Sequence, residues 1–108
     1  MTYQTMSFDS LRPASGAAVF HGSEHGAHAS FFVNSRGAER HRHPYEEIFV
    51  LLDGEIDFII DGESGHAASE TVIVIPAHTW HEFTATSADG VKMVNIHPVA
   101  QMQTEWAR

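Results

Sequence analysis

Three Asp-Gly pairs, Asp53-Gly54, Asp61-Gly62 and Asp89-Gly90, cut the chain into short lengths. No short-range signal for a hairpin turn is stronger. Around them lie runs of strand length, residues 47–52 (EIFVLL), 55–60 (EIDFII) and 91–96 (VKMVNI), rich in β-branched and apolar side chains. Residues 29–33, 71–75 and 82–86 repeat the pattern, and residues 64–69 read as a small polar loop. No long stretch has a helical apolar period, and only residues 100–108 are expected to form a turn or two of helix. Short strands at even spacing predict an all-β sandwich or barrel.

A chain of 108 residues makes one domain. The expected division is a barrel core over about 28–97, an N-terminal arm over 1–20 and a C-terminal tail over 98–108. With no cysteine, disulfides, thiolate nucleophiles and iron–sulfur clusters are excluded. A net charge of -8 repels nucleic acid and anionic membrane, so neither is an expected partner. The opening MTYQTMSFDS has no apolar core or basic flank, and no apolar run is long enough to span a bilayer. A cytoplasmic location is expected. Residues 48–52 and 73–75 are apolar on both alternating faces, unlike a sheet with one wet side. Their outer face needs a cover, either the N-terminal segment or a second subunit, and a homodimer is expected.

The chemistry concentrates in Glu39-Arg-His41-Arg-His43-Pro-Tyr-Glu46-Glu47. Residues two apart on a strand share a side, so His41 and His43 converge on one ion only if the segment is extended. Pro44 favours that for the residue before it. Nine histidines give roughly 0.7 such pairs by chance, so the pair alone is weak. The Pro44-Tyr-Glu insertion suggests a bend that returns Glu47 at the start of the next strand, and His81 follows Pro76-Ala-His-Thr-Trp at the mouth of another.

In these residues the chain resembles the cupin superfamily, small jelly-roll barrels. The first cupin motif is written G-x5-H-x-H-x3-4-E-x6-G, and His41, His43, Glu47 and Gly54 match it with every spacing intact. The second is G-x5-P-x-G-x2-H-x3-N, in which Pro76 and His81 fit. Ser35, Glu70 and His78 stand at glycine positions of the two motifs, and Ala85 stands at the asparagine position. The resemblance spans 37–85 and implies a double-stranded β-helix, or jelly-roll barrel. It also implies a divalent transition metal (Fe, Mn, Zn, Ni or Cu) held by His41, His43, Glu47 and His81.

Tyr45, Trp80 and His78 sit beside the ligand positions and are the candidate pocket residues. Phe49 and Phe58 read as barrel core, and Arg40 and Arg42 should face away from the histidine pair. Glu46 and Glu82 have the wrong parity for the site. His21, His25, His28, His66 and His97 show no ligand spacing and default to the surface or sheet edges. No catalytic residue is identified, and hydrolase and nucleotide motifs are absent. The functional expectation is a metal-dependent enzyme acting on a small organic molecule, leaning to a dioxygenase. A Lewis-acid isomerase or lyase, a sugar- or acid-binding sensor, and a structural barrel are the alternatives.

Overall fold

The computed structural model describes Thr5, residues 17–22 and residues 26–108. His25 and the side chain of His21 lie outside the described residues. The strands are β1 (Ala17–Gly22), β2 (Ala27–Ser35), β3 (Gly37–Arg42), β4 (Glu47–Asp53) and β5 (Ile56–Ile60). They continue as β6 (Glu63–Ala67), β7 (Thr71–Ile75), β8 (His81–Ala85), β9 (Val91–His97) and β10 (Glu105–Trp106). They form two five-stranded sheets, ordered β1-β2-β9-β4-β7 and β10-β3-β8-β5-β6.

The Asp-Gly pairs divide into two kinds of turn. Asp61 and Gly62, at φ 52° and 77°, close the β5–β6 hairpin with positive φ at both central positions, as a two-residue type I′ turn requires. Asp53-Gly54 and Asp89-Gly90 instead carry the chain from one sheet to the other. Repeated switching between sheets makes a jelly roll rather than a meander.

Two expectations are corrected. Residues 64–69 are not a loop: most of them lie in β6, which pairs with β5 at the edge of its sheet. Its polar composition suits an edge, where apolar strands invite aggregation. Gly65 lies across from Phe58, whose ring fills the space a Cβ would occupy. Nor is the tail helical, because its backbone completes the free edge of β3. Trp106 pairs with His41 and the Ala107 N–H donates to the Arg40 carbonyl at 3.0 Å.

The interior grades from apolar to polar along the strands. Leu51, Met93, Val91, Ile56 and Ala85 fill one end, with Phe49 and Phe83 in the middle. Following the inward parity along β4, β8 and β9 leads to Glu47, His81, Asn95 and His97, all buried. Burying such groups is tolerable only where they satisfy one another or a ligand. Outside, Ile48 and Val50 are half-buried while Val72 and Val74 are 61% and 53% exposed.

Candidate metal centre

Each member of the quartet arrives from a different local device. His41, next to last in β3, lies directly opposite His81 at the start of β8, with ring centroids 4.2 Å apart. His43 follows two residues later on the same side, before Pro44 bends the chain. Glu47 opens β4 after that bend. The donor atoms of His41, His43, Glu47 and His81 all lie within 4.8 Å of one another, and all four residues are buried.

The outer ring nitrogens are anchored by backbone. His41 Nδ1 donates to the Glu39 carbonyl at 2.6 Å, His43 Nδ1 to Gln103 at 2.7 Å and His81 Nδ1 to Thr79 at 2.9 Å. A carbonyl only accepts, so each Nδ1 carries a proton, and a ring that is neutral turns its Nε2 lone pair inward. Those inner nitrogens face a carboxylate. Glu47 Oε1 is 3.0 Å from His43 Nε2 and 3.1 Å from His81 Nε2. His43 Nε2 is buried and makes no hydrogen bond despite that distance. His81 Nε2 is within hydrogen-bond distance of Glu47 Oε1. With all three rings neutral, their lone pairs and the carboxylate would repel unless a cation sat among them, and these donors suit a divalent first-row metal.

The protonation tendencies leave the carboxylate ionised among the rings. Burial alone would raise the Glu47 carboxyl, but contacts with His43, His81 and His97 outweigh it and hold it down at about 2. Burial depresses His41, which the nearby His81 and His43 reinforce. Burial also pulls on His43, yet its contacts with Glu47 and the Gln103 carbonyl leave it raised.

Of the three candidate pocket residues, two stand beside the quartet. Tyr45 stacks on His43, centroids 5.0 Å apart at 14°. The exposed His78 lines a cleft of about 240 Å³ with His43, Pro44 and Gln103, and its N–H donates to the His43 carbonyl. Trp80 lines a different cleft, shared with Arg40 and Trp106. Its ring lies under the Arg42 and Arg40 guanidinium groups, at 4.4 and 5.2 Å, because it has the opposite parity to His81. The indole beside the quartet is Trp106, 4.9 Å from the His41 ring.

Two histidines assigned by default to the surface or edges are buried. His97 is 3% exposed, its Nε2 lying 3.3 Å from Glu47 Oε2 and its Nδ1 2.9 Å from the Tyr45 hydroxyl. His28, 6% exposed, pairs with His97 across β2 and β9 and contacts the Val99 carbonyl through Nδ1. Parity was the available signal: Asn95 and His97 continue the inward series Val91, Met93. His66 is at the surface as expected, bridging Asp57 and Glu55 at 2.8 Å each.

The cupin-domain family model matches residues 23–97. The chain is a cupin. No curated protein matches it. Among solved structures, this cupin is similar to an uncharacterized conserved protein with a double-stranded β-helix domain from Klebsiella pneumoniae. That likeness has a TM-score of 0.81 and 14% identity over 99% of both chains. It is also similar to oxalate decarboxylase from Bacillus subtilis, with a TM-score of 0.71 and 12% identity over 83% of this chain. The cupin spans only 27% of the decarboxylase, an enzyme with Mn(II) centres. A conserved protein of unknown function from Streptococcus pyogenes matches at a TM-score of 0.55 and 25% identity, over 66% of this chain and 60% of that one. These likenesses give the fold. Among the described residues no helix is long and apolar enough to cross a membrane.

Proposed function

We propose that this cupin is a cytoplasmic metal-dependent enzyme that oxidises a small organic molecule with dioxygen, using a metal held by His41, His43, Glu47 and His81. One observation carries the reading. Three backbone-anchored imidazoles aim Nε2 at one buried, ionised carboxylate. A redox-active metal bound there supplies Lewis acidity and a route for electrons between substrate and oxidant. The protein supplies the rest. The backbone carbonyls fix ring orientation, the burial of all four side chains limits water, and Tyr45 and Trp106 offer aromatic faces beside His43 and His41. The cleft at His43 and His78 is the approach for substrate.

The test is to load metal-free protein anaerobically with Fe(II), Mn(II) or Zn(II) and screen enols, flavonols, thiols and small carboxylic acids. Oxygen uptake with Fe(II) and none with Zn(II) supports the oxidative reading. Turnover that survives zinc and the absence of oxygen replaces it with Lewis-acid isomerase or lyase chemistry. Tight binding without turnover under every metal replaces it with a sensor.

The same reading includes a homodimer closed over the outer face of β4 and β7. Ile48 and Val50 pair with Val74 and Val72 to form a two-strand apolar surface there, extended by Leu52. Light scattering on a sizing column should give twice 12.0 kDa, and Val72→Glu with Val74→Lys should halve it.

A further inference from the structure

The Glu47 carboxylate is shared between two environments. Oε1 faces His43 and His81, whereas Oε2 faces His97 Nε2 at 3.3 Å. His97 is not one of the four residues whose donor atoms cluster. Its other nitrogen, Nδ1, is 2.9 Å from the Tyr45 hydroxyl. The Tyr45 ring is itself fixed by stacking on His43. A carboxylate oxygen only accepts, so the imidazole nitrogen facing it is best placed as the N–H donor. Nδ1 then accepts from the tyrosine hydroxyl. The Tyr45 hydroxyl is 2.9 Å from His97 Nδ1, and His97 Nε2 lies at ion-pair distance, 3.3 Å, from Glu47 Oε2.

We infer that Tyr45 and His97 form a positioning pair that holds Oε2 of Glu47 and so reserves Oε1 for the metal. This rests on the quartet being the metal site. His97 acts through Glu47, and Tyr45 acts through His97 by fixing which ring nitrogen carries the proton. The arrangement gives the carboxylate what the backbone carbonyls give the three imidazoles, a partner on the side away from the metal. Such outer contacts are commonly worth about 10–100-fold in metal affinity. The pair also explains why a histidine lies 3% exposed in a β-barrel interior, where an unpartnered imidazole would be costly.

Three variants separate the roles. His97→Ala removes the donor to Oε2. His97→Gln keeps an amide N–H near the place of Nε2. Tyr45→Phe keeps the ring stacked on His43 and deletes only the hydroxyl. Mn(II) affinity is measured by competition with a chromophoric chelator, and the EPR fine structure of the bound Mn(II) reports ligand geometry. Far-UV circular dichroism and melting of the metal-free proteins check folding.

His97→Ala should weaken Mn(II) about 10–100-fold with an altered fine structure. His97→Gln should recover most of the affinity. Tyr45→Phe should fold normally and lose several-fold. Tyr45→Phe and His97→Gln both binding as wild type with unchanged spectra, or His97→Gln as weak as His97→Ala, overturns the inference. A wild-type protein that takes up no Mn(II) overturns the quartet assignment itself, and the inference with it.

Discussion

His43 and Gln103 are 60 positions apart in the chain, yet the His43 Nδ1–H donates to the Gln103 carbonyl at 2.7 Å. The C-terminal segment is therefore part of the candidate site. The Thr104 hydroxyl lies 3.3 Å from the same nitrogen, and Trp106 covers His41 from β10. Cooperative strand pairing keeps this short tail in place, and the Arg42–Glu105 ion pair at 2.8 Å, exposed on its outer side, adds little.

Deleting residues 103–108 should thus weaken metal binding about 10–100-fold while the apolar end of the barrel stays folded. Glu105→Ala, which touches only the exposed ion pair, should leave affinity near wild type. Calorimetric titration of the two variants with Zn(II) checks this. Equal affinities in the deletion and the full chain would show that the tail does not support His43.

Metal binding should stabilise the fold in a pH-dependent way. Ligation needs neutral imidazoles. In the metal-free protein His43 is held above its ordinary value. Its contact with Glu47 therefore stabilises the fold below about pH 6.5, and this is lost as pH rises through the raised folded value. The metal contributes in the opposite sense, increasingly as the proton leaves. At 100 times Kd it adds about 2.7 kcal/mol, which is roughly 10–20 °C for a domain of this size. Scanning calorimetry with and without Zn(II) should give that gain at pH 8 and only a small part of it at pH 5. His41→Ala with His81→Ala should abolish it at both.

How much of this was legible in the sequence follows from the kind of contact. The proximity of His41, His43, Glu47 and His81 could be read because residue types at fixed spacings mark it. The contact of His43 with Gln103 could not, since a backbone carbonyl has no residue signature. His97 was missed because its partners, Tyr45 and Glu47, come from across the sheet, though its parity with Met93 and Asn95 was visible. Alternation sends Trp80 to the opposite face from His81, where it lines a cleft with Trp106. The polar run after Gly62 looked like a loop because an edge strand need not be apolar.

Glu47 should govern acid sensitivity of the metal-free chain. Its folded pKa of about 2 lies below its unfolded value near 4.5. The stabilisation is present above about pH 4.5 and is lost as pH falls toward 2. Wild type should therefore lose midpoint denaturant steeply across that interval. Glu47→Gln, with nothing to titrate there, should show a distinctly flatter profile. Parallel profiles in the two proteins would mean that Glu47 is not held ionised by its histidines.

Two of the cupin glycine positions are filled by Glu70 and His78, and both keep the backbone shape a glycine would take, at φ 66° and 61°. The left-handed region costs a residue with a Cβ about 1–2 kcal/mol. Neither turn escapes it. The Glu70 N–H donates to the Leu51 carbonyl at 2.8 Å and the His78 N–H to the His43 carbonyl at 2.7 Å. Those bonds hold the loops that deliver β7 and β8, so the strain is kept to save them. Glycine removes the strain and retains both N–H groups, while its greater freedom in the unfolded chain offsets about 0.5–1 kcal/mol of the gain. Glu70→Gly should therefore stabilise the fold by up to about 1 kcal/mol, and His78→Gly by a similar amount. The sites are separate, so the effects should add. Alanine at either position should give no such gain, because it keeps the Cβ. Urea unfolding of the single and double glycine variants checks this, and a double variant less stable than wild type would show that the side chains, not the backbone, secure these turns.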